Sequence, residues 1–581
     1  MPDRGGQPPI RRRELPERHA LPDDLHPVLV RVLTARGVLC ADDLGLRLDR
    51  LLPVGSLTGI APAVDLLLRH VRARHRITVI GDFDADGATS TAIVVRGLRA
   101  ADARNVDYLV PNRFEYGYGL TPEIVALAAR AEPALIVTVD NGISSHAGVD
   151  AAHAHGIEVL ITDHHLPGAT LPAADAIVNP NLRGASFGSR HLCGAGVAFY
   201  LMAALHRRLQ AETRAASNAD ARFRVTDLLD LVALGTIADV VSLDRNNRVL
   251  IDAGLRRIRA GRCVPGISAL LAVSRRRRAD VVASDLAFAV APRLNAAGRL
   301  ADMSLGIECL LTDDDNRARE LALCLHELNT ERRAIEAQMQ RDALTAVDAL
   351  RFDQGGQALP YALCLFDESW HQGIVGLVAS RIRERVHRPV VAFALEDDDN
   401  LKGSARSVPG LHIRDVFDAV AASEPELLRK FGGHAMAAGL TLPRASLDAF
   451  SRVLNREVAS RLSQDDLGGA LLTDGELVGA ELTLELAESL RGCGPWGQGF
   501  PEPSFDGIFD IVDGRLVGES HFKLSVRAAA GDPLCEAIAF NQADIIGVAP
   551  TRARLVYRLG VNDYRGTRRL QLVVESIAPI C

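Results

Sequence analysis

A chain of 581 residues with 48% hydrophobic and 24% charged side chains is too long for one ordinary core and too apolar for a disordered polymer, so about three domains of roughly 100 to 200 residues are expected. Its net charge of −7 argues against recognising nucleic acid by overall charge, although local patches and bound cations weigh more than the total. No run approaches the ~18 apolar residues of a membrane span, the charged, Pro-rich start lacks the apolar stretch of a secretory signal, and nine scattered cysteines without a CxxC pair indicate neither a zinc module nor a disulfide framework. A cytoplasmic protein with no membrane association is expected.

Residues 1–48 read as an N-terminal segment with a flexible start and a short helix near Pro27–Ala35. From 49 to 314, strand-like runs at Ile77–Ile80, Leu135–Val139 and Glu158–Ile161 alternate with helical stretches such as Ser90–Ala101 and Thr121–Ala131. That alternation predicts an α/β domain built on a doubly wound parallel sheet. Residues 315–350 hold neither Gly nor Pro and are rich in helix formers, which predicts a connecting helix of roughly 45 to 50 Å. A second, smaller α/β domain is expected over 351–465, with a helix at Gly373–Val386 and a strand at Pro389–Ala394. Over 466–581, short β-branched runs separated by Gly, Asp and Pro suggest an antiparallel, OB-like β-barrel.

Chemistry-bearing residues gather at the ends of apolar runs: GDFDADG (81–87), TVDNGISS (138–145), TDHH (162–165) and ALGTIADVVSL (233–243). Open α/β sheets place their sites at the carboxyl ends of their strands. Asp82, Asp84 and Asp86 point to one face if their segment stays extended, with a helix opening at Ala88 whose first amides face the same crevice; the alternative is an Asx-rich helix cap. Asp140, before Asn141 and Gly142, is either a strand-end carboxylate or part of a type I′ turn. His164 and His165 are hard to bury together, so one can take a metal while the other meets substrate, and Asp163 can fix an imidazole tautomer from behind. Asp239 lies in an otherwise apolar run and needs a partner, for which a cation is the strongest candidate. Oxygen-rich donors with few imidazoles suit Mg²⁺ or Mn²⁺, and several converging carboxylates would repel each other without them. A two-metal phosphoesterase centre follows as the expectation.

The ordered set DxDxDG, DNG, DHH and GTIAD resembles the DHH phosphoesterases. GSARSVPGLHI (403–413) and FGGHAMAAGLT (431–441) are similar to the DHHA1-type partner domain of that family. With RFEYGYGLT (113–121), APRLNAAGRL (291–300), WHQGIVGLVASRI (370–382) and GPWGQGFPEP (494–503), the resemblance narrows to the RecJ-type single-strand-specific exonucleases and covers about residues 50 to 581.

The resemblance implies two ions, Mn²⁺ or Mg²⁺, one held by Asp82 and Asp84 and the other by Asp86, His164 and Asp239, with Asp140 bridging. It implies that His165 faces the substrate phosphate and that His434, in the GGH loop, touches the scissile phosphate. Asp140, His165 and His434 are thus the candidate catalytic residues. Arg113, Ser404 and Arg406, helped by Arg293 or Arg299, would dock a terminal 5′-phosphate one nucleotide beyond the scissile bond and so enforce stepwise release of 5′-mononucleotides.

The expected substrate is single-stranded DNA with a free 5′ end, threaded through a hole too narrow for duplex, in the service of recombination and repair. A single-strand-binding protein and a helicase are candidate partners, and a monomer is expected. In the barrel, Arg552, Arg554, Tyr557, Arg558, Arg565, Arg568 and Arg569 are candidate strand contacts, against the alternative of solvated outer-face residues. RRRR at 275–278 either tracks DNA or is a solvated loop, and Trp496 is expected to pack rather than stack on bases. Two rivals stand: a small-substrate phosphoesterase acting on short RNA or cyclic dinucleotides, and an inactive DHH-fold scaffold.

Overall fold

The computed structural model describes residues 9–111, 119–214, 223–353, 359–463, 470–518, 521–540, 542, 551–564 and 566–580. The N-terminal segment is not a loose lead-in. Helix α1 (Pro27–Thr34) starts with Pro at its first position and buries Val28, Leu29, Val32 and Leu33 in the same core as the following domain. Arg36, just past it, forms a fully buried ion pair with Asp474, Nη1 to Oδ1 2.7 Å. The apolar spacing that makes the helix, found where the sequence placed it, also supplies the face that docks it.

The first sheet has strands β1 (Ile77–Ile80), β2 (Val106–Leu109), β3 (Leu135–Val139), β4 (Glu158–Thr162) and β5 (Ala176–Val178), all parallel, in the order β2-β1-β3-β4-β5. β1 and β3 are buried at every position, as parallel strands covered on both faces must be, so they read as near-continuous apolar runs interrupted only by Thr78 and Thr138. The strand order reverses between β1 and β3, and the crevice beyond their carboxyl ends is where such sheets bind ligands.

Four helices complete the surroundings of that crevice: α2 (Ala85–Ala100), α3 (Gly194–Arg214), α4 (Leu229–Ala238) and α5 (Ala291–Leu300). Two expectations change here. α2 begins at Ala85 instead of Ala88, because the Asp84 carboxylate caps it by accepting from Gly87 N at 2.9 Å. The three aspartates therefore do not alternate along one strand. The apolar run before Asp239 is likewise helix α4, buried at every position from Leu229 to Ile237, and Asp239 is its C-cap. A helix buried all round has no polar face to reveal its period.

Helix α6 runs from Asp315 to Asp353, and the two compact units of the chain divide within it: 12–329 with 472–581 form one, 1–11 with 330–471 the other. The smaller unit holds helix α7 (Val375–Val386) and a mixed sheet of β6 (Leu363–Phe366), β7 (Val390–Leu395), β8 (Asn400–Arg406), β9 (Lys430–Gly433) and β10 (Ala437–Pro443), in the order β9-β10-β8-β7-β6. The larger unit ends in a closed barrel of β11 (Phe505–Val517), β12 (His521–Arg527), β13 (Cys535–Ala539), β14 (Arg552–Tyr564) and β15 (Thr567–Pro579). One hydrophobic core runs continuously from α1 through the first sheet's helices to the barrel strands. Among the described residues no single helix is long and apolar enough to cross a membrane.

Candidate metal centre

Six side chains from four segments converge at the switch point. Asp82 leaves the end of β1 and accepts its neighbour Phe83 N at 2.6 Å. Asp84 caps α2, and Asp86 lies in that helix's first turn. Asp140 follows β3 with φ of 63°, a left-handed conformation that Asp tolerates better than most residues. His164 follows β4, and Asp239 arrives from the end of α4.

Donor atoms of Asp82, Asp84 and Asp140 lie within 4.8 Å of one another, as do those of Asp86, His164 and Asp239, and those of Asp140, His164 and His165. His164 Nε2 stands 3.0 Å from Asp140 Oδ1, 3.5 Å from Asp239 Oδ2 and 4.0 Å from Asp86 Oδ2. Asp140 thus belongs to the first and third groups and meets the second through His164.

The electrostatics of this cluster call for positive charge. The Asp86 carboxyl is pushed up to about 6 by burial and by the charge of Asp84. Asp140 and Asp239 are pushed up as well, by burial first and then by the other carboxylates, Asp86 foremost. Buried like charges this close cannot all ionise unless a cation offsets them. Five carboxylates and one imidazole are a hard donor set, fitting Mg²⁺ or Mn²⁺. On this geometry Asp82, Asp84 and Asp140 would hold one ion and Asp86, Asp140, His164 and Asp239 a second.

Asp163 supports the centre from behind. Its buried Oδ1 accepts the backbone amides of His164 at 2.7 Å and His165 at 3.0 Å and meets His165 Nδ1 at 2.7 Å, while Oδ2 accepts Ile143 N at 2.9 Å. Burial alone would raise this carboxyl; its bond to His165 and the histidine charges outweigh burial and hold it low. The reverse balance raises His165: burial lowers it, and the Asp163 bond and charge overcome that.

Several supporting residues have no role in the motif reading, although Asn295 and Gly298 lie within its APRLNAAGRL segment. The first amides of α3 bind Asp86 at both oxygens, Gly194 N at 2.6 Å and Ala195 N at 3.0 Å. A Cβ on Gly194 would lie 2.6 Å from Asp140 Cβ, so only glycine lets α3 approach. Asn295 Oδ1 accepts Ala85 N at 2.8 Å, and a Cβ on Gly298 would meet Phe83 O at 1.8 Å, which explains the small residues of α5 beside the aspartates. Asn179 and Asn181 donate to the carbonyls of His165 (2.9 Å) and His164 (2.6 Å). The Asn-Pro-Asn after β5 and the Gly-Ala-Gly opening α3 are the local signals that a turn-and-cap reading can use.

The remaining candidates fall into three groups. Arg293, buried on α5, donates to the Ala289 carbonyl and, through Nε, to His326 Nδ1 at 3.2 Å, while Arg299 lies in the last turn of the same helix. In the smaller unit, Arg406 Nη1 donates to Ser404 Oγ at 3.0 Å on β8, a Cβ on Gly376 in the first turn of α7 would touch both side chains, and His434 closes the β9–β10 turn with its N donating to Ala437 O at 2.8 Å. Burial and the like charge of Arg383 press on the Arg406 guanidinium, an environment that favours an anion. Arg113 and Arg565 lie outside the described residues.

The barrel candidates divide. Tyr557 is fully buried, edge-on to Phe509, and cannot present its ring to a strand; this corrects the expectation for that residue. A bulge between Val556 and Tyr557 breaks the alternation and turns both inward. Arg552, Arg554, Arg558 and Arg568 pair with Asp510, Asp506, Glu502 with Glu575, and Glu488 respectively, while Arg569 is exposed without an ion pair among the described residues. In the RRRR run, Arg276 pairs with Asp285 and Arg277 with Asp280 and Asp563, as a solvated surface run would. Trp496 stacks on Phe500 at 5.0 Å between centroids and donates to Leu490 O, the packing role expected.

Three segments of the chain match known domain families. Residues 76–236 match the DHH family, N-terminal domain, residues 358–460 the DHHA1 domain, and residues 473–576 the RecJ OB domain. The chain is 52% identical over 573 residues to the single-stranded-DNA-specific exonuclease RecJ of Dickeya dadantii, covering 98% of this chain and 99% of that protein. It is similar in structure to RecJ of Thermus thermophilus in complex with Mn²⁺ (TM-score 0.79, 31% identity, 96% of this chain and 76% of that one). It is also similar to the Mg²⁺ complex from the same organism (TM-score 0.73, 30% identity, 96% and 75%).

Proposed function

Because the chain belongs to the RecJ family of single-stranded-DNA-specific exonucleases, we propose that it is a Mn²⁺- or Mg²⁺-dependent 5′-to-3′ exonuclease that releases 5′-mononucleotides from single-stranded DNA in recombination and repair. The observation that carries the reading is the pair of three-residue donor groups joined by Asp140 at the switch point of a parallel sheet. Two divalent ions held there would offset the carboxylates and would supply Lewis-acid activation of a water for phosphodiester hydrolysis.

The chain's own groups do the rest. The α3 amides fix Asp86, and Asp163 engages His165 Nδ1, so that His165 meets a substrate oxygen through Nε2 and carries a proton toward the charge that develops there. Ser404 and Arg406, beside the first turn of α7, bind the terminal 5′-phosphate through a hydroxyl and a bidentate fork, and His434 contacts the scissile phosphate. The protein acts in the cytoplasm as a monomer, on strands supplied by a helicase and coated by a single-strand-binding protein.

Digestion of 5′-phosphorylated and 5′-hydroxyl oligonucleotides with Mn²⁺, followed by chromatography of the first product, tests this. A 5′-mononucleotide is expected first, with blunt duplex resistant and Asp140→Ala inactive. Equal rates on duplex and single strands, or first release from the 3′ end, overturn it.

A further inference from the structure

Beside the metal centre, the same unit carries an apolar surface that holds none of its ligands. Helix α4 ends at Asp239, and the next residue, Val240, has φ of 60° and 63% of its surface exposed. A β-branched residue in the left-handed region is disfavoured, so the fold keeps an apolar side chain in water at a conformational cost. Phe288, 80% exposed, comes from a single π-helical turn, Leu286–Val290, packed on α4. Such turns are rare and recur at functional sites.

Both side chains line one cavity of about 480 Å³, which continues along Trp496 toward the barrel and is flanked by Arg259 and Arg491. Arg259 Nε donates to Val281 O at 2.8 Å and Arg491 Nη2 to Asp280 O at 2.6 Å; neither forms an ion pair among the described residues. One exposed phenylalanine would be ordinary. Two apolar side chains, one of them next to Asp239, and two guanidinium groups without ion pairs among the described residues share a cavity whose carboxylates Asp252 and Glu502 pair with Arg256 and Arg558; together they offer what a single strand requires, faces for its bases and cations for its phosphates.

We propose that this cavity is a subsite for DNA nucleotides 3′ of the scissile phosphate, with Phe288 and Val240 against base faces and Arg259 and Arg491 along the backbone. The inference rests on the exonuclease reading above. Release of mononucleotides leaves one nucleotide on the 5′ side of the cut, so any extended contact must be with the 3′ continuation. Thr236, Ile237 and Ala238 of the helix capped by Asp239 line the cavity, which sets it next to the metal centre.

The test compares the full-length wild type with Phe288→Ala and the conservative Phe288→Trp on 5′-phosphorylated oligonucleotides carrying one abasic residue at successive positions. With intact DNA, Phe288→Ala is expected to raise KM about tenfold with kcat little changed, and Phe288→Trp to restore it. One abasic position should weaken the wild type but add nothing to Phe288→Ala, which identifies the base on the ring. Fluorescence of 2-aminopurine at that position, read in EDTA, should be quenched by wild type and not by Phe288→Ala. Unchanged KM for Phe288→Ala, or abasic effects equal in both proteins at every position, would overturn the subsite and leave the cavity to another occupant such as an apolar peptide. A wild type that releases no nucleotide from these strands defeats the exonuclease reading itself, so the two failures are distinguishable.

Discussion

Removing one of the proposed metal-binding carboxylates should make the metal-free protein more stable. Asp86, Asp140 and Asp239 all have carboxyls raised in the fold, Asp86 to about 6, by burial and mutual repulsion. In the unfolded chain they ionise near pH 4. Their stabilising contribution is therefore complete below about pH 4 and is lost as pH rises through the folded values; for Asp86 alone the loss is about 3 kcal/mol. Without cations the protein should thus melt lower at about pH 7.5 than at about pH 5 from this source, and Mn²⁺ should raise the melting temperature more at the higher pH.

Asp239→Asn isolates the effect. Its donor atom lies within 4.8 Å of that of Asp86, where like charges repel by about 3 kcal/mol at an effective dielectric of ~20. The variant in EDTA should therefore melt up to roughly 3 °C above wild type, while losing turnover and most of the Mn²⁺-induced shift. Scanning calorimetry in EDTA and in saturating MnCl₂ at both pH values reads all of this. A variant that melts below wild type in EDTA, or keeps the full Mn²⁺ shift, would refute the reasoning.

Asp163→Asn replaces one acceptor oxygen with an amide that faces either Ile143 N–H or the His165 side. It should cost about 1 to 3 kcal/mol in chemical denaturation and lower kcat by roughly 10- to 100-fold through misorientation of His165; wild-type kcat would remove Asp163 from the mechanism. Gly194→Ala places a Cβ 2.6 Å from Asp140 Cβ. It should destabilise by about 1 to 3 kcal/mol and weaken Mn²⁺ binding measured by titration calorimetry, and unaltered Mn²⁺ affinity would show that α3 does not set the position of Asp140.

The order and residue types of the DxDxDG, DNG, DHH and GTIAD segments are local properties, and so are the Val/Ile-rich runs of β1, β3 and β4. These by themselves determined the parallel sheet, the carboxylate-rich centre at its strand ends and the hard cations that suit it. The Gly- and Pro-free run and the β-branched segments likewise determined the long helix and the terminal barrel.

Tertiary structure decided what depends on groups distant in sequence or on a break in a local period. Asp84 turned from a strand position to a helix cap because its own carboxylate satisfies Gly87 N. Asp239 came from a helix because α4 is buried all round and shows no polar stripe. Tyr557 went inward because a bulge reset the alternation of β14. The partition of six donors into two groups joined by Asp140, the α3 amides on Asp86 and the apolar cavity beside Val240 and Phe288 likewise exist only once the chain is packed. The cap and the bulge are local, but the donor partition, the α3 amides on Asp86 and the cavity depend on approach distances between elements tens to hundreds of residues apart, which periodicity and propensity do not encode.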